Sequence, residues 1–295
     1  MDTKNFVPYA LLTLATLFWA GNWIVGRAVA GDLPPAGLTF WRWVIALAIL
    51  FPIVGPRLWR ARTLLRAHWK PVACLGVLGG GLHNVLQYWG LHYTGAANGA
   101  ILTALTPIYV LVAAALFLRE RLSMRAAAGA AISLLGVVAI VFRLDVASMR
   151  AFAFNPGDAL IVLSHFMLAG YTLGLRWRPP GLDALSFLAC FAGVALVPVG
   201  IMHVLELAGG AQMALTPASL AALGFVAVFP ALLAYHFWNL GVAAIGAARS
   251  ALFFYLTPLF GSLMAVLLLD EQLGLYHGVG GLLVLCGILL ASRRA

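Results

Sequence analysis

The sequence predicts an all-α integral membrane protein with ten transmembrane helices, built as two five-helix repeats of opposite orientation. Three observations predict it: an extreme apolar composition, a series of apolar runs of bilayer-spanning length, and residue patterns that recur about half a chain apart.

Across 295 residues, 63% are hydrophobic and only 9% are charged. With a mean hydropathy of +1.01, the chain lacks the polar surface that a water-soluble fold of this size requires. A net charge of +9 would suggest nucleic acid in a soluble protein. Here the basic residues lie in short loops between apolar runs, so they are expected to set orientation, with no nucleic acid partner. Cys74, Cys190 and Cys286 lie far apart without CxxC or Cys/His spacing and are expected to be buried small hydrophobes.

A bilayer core takes about 20 apolar residues per helix, and a lipid-facing loop or open sheet would leave backbone groups unpaired. The candidate spans are 7–26, 36–54, 71–93, 97–118, 124–142, 157–176, 184–206, 217–238, 245–269 and 274–292. The first is longer than a signal h-region and has no convincing cleavage site, so it should be retained. The joins at Gly95 to Ala97 and Ala244 to Ala247 are so short that each must link an antiparallel hairpin.

With the N-terminus cytoplasmic, the inside collects Lys4, the basic cluster from Arg57 to Lys70, Arg119, Arg121, Arg125, Arg176, Arg178, Arg249, Arg293 and Arg294. The outside receives only Arg27, Arg143 and Arg150. The positive-inside rule therefore places both termini in the cytoplasm of a bacterial inner-membrane protein. Trp59 and Trp69 flank that basic cluster, which should attract anionic lipid headgroups.

The repeat is read from Leu105-Thr106-Pro107-Ile108 and Leu256-Thr257-Pro258-Leu259, with Gly90, Gly95, Gly129 and Gly136 echoed by Gly241, Gly246, Gly280 and Gly287. Leu118-Arg119-Glu120-Arg121-Leu122 likewise pairs with Leu269-Asp270-Glu271-Gln272-Leu273, and Ala20-Gly21 with Ala169-Gly170. The repeats are expected over 1–145 and 155–295. An odd number of spans per repeat makes the second enter the membrane from the opposite side, an arrangement used for alternating access.

The stretch Ala-Ala-Asn-Gly-Ala-Ile-Leu-Thr-Ala-Leu-Thr-Pro (96–107), Glu120, Gly129, Gly136 and their second copies resemble the drug/metabolite transporter superfamily, in particular bacterial proteins with two EamA repeats. Within it, Asn22-Trp23 and the polar aromatic content of helices three and eight are most similar to the YddG-type exporters of aromatic amino acids. The resemblance implies a ten-helix secondary transporter of small organic solutes.

His83, Asn84, Gln87 and Tyr88 share one side of the third helix by their i, i+3 and i+4 spacing, and Tyr235, His236, Trp238 and Asn239 fall within one turn of the eighth. Trp19, Asn22, His165 and Tyr171 add to them from helices one and six. Polar groups are costly against hydrocarbon, so these should face the bundle interior and line a substrate chamber, where amides and imidazoles orient charged groups and aromatic faces hold an apolar side chain. The alternative for each is interhelical hydrogen bonding. Pro107 and Pro258 fall near the middle of two spans, where a proline frees the carbonyl four residues back and makes either a hinge beside the site or a packing kink.

Arg42 lies about one and a half turns into helix two by the helical rise; it is expected to snorkel outward, with contact to a substrate carboxylate as the alternative. Gly76 with Gly80, and Gly129 with Ser133 and Gly136, have the small-residue spacing of close helix packing.

Span centres hold no Asp or Glu, which disfavours a cation/proton antiporter and leaves His83 or His165 for any proton coupling. The sequence has no catalytic motif, and neither an enzyme activity, a metal nor a cofactor is expected. The expected function is export of aromatic and other neutral amino acids by a monomer. The alternatives are transport of sugars, nucleosides or drugs, a channel, or an intramembrane enzyme.

Overall fold

The computed structural model describes residues 6–94, 99, 102–119, 123–150, 153–268 and 274–292. Glu120, Asp270, Glu271 and most of the 96–101 stretch lie outside the described residues. All the described elements are helical, as the backbone of a membrane segment demands when no water is available to pair its polar groups.

In chain order the α-helices are α1 (Val7–Ala28), α2 (Pro35–Arg60), α3 (Arg62–Ala67), α4 (Trp69–Leu75), α5 (His83–Tyr93), α6 (Thr106–Leu118), α7 (Met124–Val141), α8 (Val146–Arg150), α9 (Pro156–Gly174), α10 (Ala184–Ala208), α11 (Pro217–Val226), α12 (Ala234–Ile245), α13 (Ala247–Ala251), α14 (Leu256–Leu268) and α15 (Leu275–Ser292). A π-helical turn, Gly76–Leu82, joins α4 to α5, and a second, Ala227–Leu233, joins α11 to α12. Six helical segments are long and apolar enough to cross a membrane: Val7–Ala28, Pro35–Arg60, Met124–Val141, Pro156–Trp177, Ala184–Ala208 and Pro217–Ile245. Thr106–Leu118 and Leu275–Ala291 are shorter apolar helices. The chain is a multi-pass membrane protein.

Helix starts follow local chemistry. Prolines open α2, α9 and α11, where the missing N–H costs nothing. Asn155 and Asp158 form a capping box on α9, Asp183 caps α10 through the Ser186 N–H at 3.0 Å, and Thr216 caps α11. The helix expected to end at residue 54 continues to Arg60, through Pro52 and Pro56. Apolar length marks where lipid ends, whereas the helix goes on into the basic segment, where Arg62 lies over the Trp59 ring at 4.9 Å.

Most elements of the first half have a counterpart in the second. Shifted by the 151 residues that separate Asn84 from Tyr235, the first π turn falls on the second, and α7 falls on α15. These two helices cross at glycines: a Cβ on Gly136 would fall 2.6 Å from the Gly280 carbonyl oxygen, and Gly129 meets Gly287 in the same way. Between them Ser133 Oγ donates to the Val284 carbonyl at 3.2 Å. The glycine and serine spacing thus serves close packing, as expected.

The cysteines differ from expectation. Cys74 and Cys286 are exposed and Cys190 is half-buried, because a thiol is apolar enough to sit on an outward helix face as readily as inside.

Candidate functional site

The interior is organised by the π turns. A π turn strips carbonyls of their regular helical partners and often marks a functional position. In the first, Gly79 O accepts the Tyr235 hydroxyl at 2.6 Å and the Asn84 amide at 3.0 Å, and Gly80 O accepts Trp43 Nε1 at 2.8 Å. In the second, Pro230 O, at the position equivalent to Gly79, accepts Trp19 Nε1 at 3.2 Å. Glycines are needed here, since a Cβ on Gly80 would fall 2.7 Å from Ala195 Cβ and one on Gly79 2.6 Å from the Tyr171 ring.

An inner cavity lies beside these turns, lined by Trp19, Asn22, Trp23, His83, Asn84, Gln87, Thr103, His165, Leu168, Phe254 and Thr257. Its volume is about 20 Å³, room for little more than one water molecule. Six residues expected from sequence therefore share one wall: Trp19, Asn22, His83, Asn84, Gln87 and His165. Trp19 stacks on Phe254 with ring centroids 5.4 Å apart and meets Trp238 at 5.2 Å and Tyr235 at 5.5 Å. His165 is held between the Thr103 and Thr106 hydroxyls at 3.0 and 2.8 Å, and it stacks on Trp23. His83 Nδ1 donates to the Ser164 carbonyl at 2.9 Å, which leaves Nε2 as the acceptor on that ring.

Tyr88 and Tyr235 act one layer out. The Tyr88 hydroxyl donates to Asn22 Oδ1 at 2.6 Å. Arg42 Nη1 donates to Tyr88 Oη and to Asn84 Oδ1, both at 3.0 Å. Arg42 is 0% exposed, so the expected outward snorkelling is wrong. The guanidinium turns inward because Asn84 and Tyr88 offer acceptors at its depth.

Tyr171, Trp238 and Asn239 are not part of the inner cavity's lining. The Tyr171 hydroxyl donates to Asn239 Oδ1, and Trp238 packs on Phe254 with centroids 4.4 Å apart. Asn239 also lines an open vestibule of about 400 Å³ with Thr172, Arg176, Arg178, Leu118 and Gly246, a volume in the range that holds small-molecule ligands. Asn239 of the vestibule is thus the sequence neighbour of Trp238, whose ring meets Trp19 and Phe254 of the inner cavity. His236 is only half-buried and lines neither.

Pro107 is the second residue of α6 and Pro258 the third of α14. A turn at Ala104–Leu105 precedes one, and a 3₁₀ turn, Leu252–Tyr255, precedes the other. Each long apolar run is broken before its proline, so the ring meets no preceding α-turn. The Thr103 carbonyl accepts the Thr106 hydroxyl at 2.6 Å, while the equivalent Thr257 hydroxyl stays unpaired on the cavity wall.

The EamA-like transporter family matches this sequence twice, over residues 7–142 and 155–293. The chain belongs to that family. Two EamA-like repeats are thereby shown, within the drug/metabolite transporter superfamily. Similar proteins include the uncharacterized transporter YyaM of Bacillus subtilis, 24% identical with 98% of this chain and 94% of that one covered. A probable terminal-alkyne amino-acid exporter of Streptantibioticus cattleyicolor is 28% identical, covering 96% of this chain and 92% of the exporter. A crystal structure matches the fold with a TM-score of 0.75 at 19% identity, covering 96% of both chains.

Trp23, Thr103, Leu168, Phe254 and Thr257 were not singled out from sequence as site residues. Thr103 and Thr257 carried a signal, as hydroxyls beside the repeated prolines. Phe254 was marked only through the carbonyl that Pro258 frees, and Leu168, an apolar residue in an apolar run, carried no signal.

Proposed function

We propose that this EamA-like family member is a secondary transporter that exports small amphipathic metabolites, aromatic and other neutral amino acids first among them. The observation that carries the proposal is the inner cavity, where Trp19, Trp23 and Phe254 offer aromatic faces beside Asn22, His83, Asn84 and Gln87. Aromatic faces hold an apolar side chain and an ammonium, and the amides and imidazoles orient the polar end. The name of the exporter from Streptantibioticus cattleyicolor supports the substrate class.

In this reading the ten spans form two inverted repeats, and the vestibule beside Arg176 and Arg178 opens to the cytoplasm of a bacterial cell. The small inner cavity is then the closed chamber of an alternating-access cycle. Tyr171, Trp238 and Asn239 form its inner gate, Tyr88 and Tyr235 support its wall, and the helix breaks before Pro107 and Pro258 are its hinges. The test is counterflow uptake of labelled phenylalanine, tryptophan and leucine into liposomes that hold the purified protein. Saturable, protein-dependent uptake is expected; its absence for every amino acid removes this substrate class.

A further inference from the structure

We infer that Arg42 is the anchor for a single carboxylate on the transported solute. The inference rests on the proposed transport through the inner cavity and names the charge that the cargo must carry.

The starting point is a charge without a counterion. Arg42 is fully buried, and its polar partners are neutral, Asn84 Oδ1 and Tyr88 Oη, with the Trp43 ring 5.4 Å from Cζ. Both bonds come from Nη1. Nε and Nη2 are buried and have no partner among the described residues, which leaves three N–H groups of a fork that matches a carboxylate in two parallel bonds. Among the described residues no carboxylate is within ion-pair distance. A buried cation in that state is expensive and is normally paired.

Its place in the fold says what should pair it. Asn84, which accepts from Arg42, is itself a wall of the inner cavity, and Tyr88 joins Arg42 to Asn22 of the same wall. Arg42 thus stands one hydrogen bond behind the chamber lining, through Asn84. Among the described residues the cavity wall holds no acidic side chain, so the site carries one positive charge and selects a monoanion or a zwitterion over a lipophilic cation. Arg176 and Arg178 are among the residues that line the vestibule. One guanidinium matches a carboxylate better than a doubly charged phosphate.

The experiment measures thermal stabilisation of the detergent-purified protein by four compounds of one shape: L-phenylalanine, 3-phenylpropionate, L-phenylalaninamide and phenethylamine. Acetate and leucine test other carboxylates. The two aromatic acids are expected to stabilise the protein, the amide and the amine not. Stabilisation by 3-phenylpropionate without phenylalanine would sink the amino-acid reading and keep the anchor. Equal stabilisation by the amide or the amine overturns the anchor and leaves transport standing, and no response to any carboxylate overturns it too. Arg42→Gln should weaken carboxylate binding about 10- to 100-fold, the size of charged hydrogen bonds lost. Arg42→Lys, which keeps the charge and loses the fork, serves if the glutamine variant fails to fold: it should bind the acids more weakly than the native protein and still prefer them to the amide; loss of discrimination between acid and amide in the native protein would refute the assignment without either variant.

Discussion

Asn84 Nδ2 donates a hydrogen bond of 3.1 Å to the hydroxyl of Tyr235, a residue 151 positions further along the chain. That separation is the repeat offset, so two equivalent positions of the two EamA-like repeats touch each other. In a pseudo-symmetric pair only residues at the axis relating the repeats meet their own equivalents. Ser133 and Val284 are a second such pair, at 3.2 Å. The polar wall of the cavity therefore sits where the halves join, and relative movement of the repeats acts on it directly.

Tyr235→Phe removes the hydroxyl that bonds Gly79 O and Asn84 and keeps the ring against Trp43 and Phe191. The expected cost is about 1–2 kcal/mol, the usual effect of losing a buried hydrogen bond. A thermal unfolding comparison in detergent checks it; an unchanged midpoint would mean that the Asn84 amide alone satisfies the π turn.

Gly136→Ala should be more damaging. Its Cβ would lie 2.6 Å from Gly280 O and 2.8 Å from Val284 N, both backbone atoms that cannot turn aside. The α7–α15 crossing must open, at about 1–3 kcal/mol. Gly224→Ala is the control, since nothing lies within 4 Å of its added Cβ. The measurement is the difference in unfolding midpoint between the two variants, and equal midpoints would contradict the close crossing.

Ser123→Cys and Gly274→Cys, at positions equivalent under the repeat offset, test the inverted arrangement. A membrane-impermeant thiol reagent applied to intact cells should label the second and leave the first until the membrane is broken. Native cysteines are replaced by serine beforehand, since Cys74 and Cys286 are exposed. Labelling of both positions from one side would rule out opposite orientations.

What was legible in the sequence followed the kind of physics each residue obeys. His83, Asn84 and Gln87 could be assigned to one face because polar side chains at helical spacing are rare inside apolar runs. Arg42 could not: without the neighbouring helix, outward snorkelling is the cheaper choice, and only the fold supplies Asn84 and Tyr88 at its depth. The prolines at 107 and 258 did mark a departure from regular helix, because a ring without an N–H cannot continue a preceding α-turn; the turn at Ala104–Leu105 and the 3₁₀ turn Leu252–Tyr255 lie just before them. The side chains of Phe254 and Leu168 were invisible for a different reason. An aromatic or aliphatic residue in a membrane helix looks the same facing lipid, a neighbour or a chamber.

Gln87→Ala and Trp238→Ala separate the roles of wall and gate. Gln87 lines the inner cavity, and no hydrogen bond holds its side chain to a described residue, so its loss should leave folding intact and weaken substrate binding. The expected result is a rise in the half-saturating concentration of about 3- to 10-fold, near the value of one neutral hydrogen bond. Trp238 packs against Trp19 and Phe254 of the cavity lining and is next in sequence to Asn239 of the vestibule; it is the proposed gate. Its removal should open a path between the two spaces, lowering the rate of counterflow and raising passive leak of a small solute from loaded liposomes. Both variants are measured in the same liposomes, with folded protein quantified by size-exclusion profile. Native transport and native leak in both would place the substrate path elsewhere in the bundle.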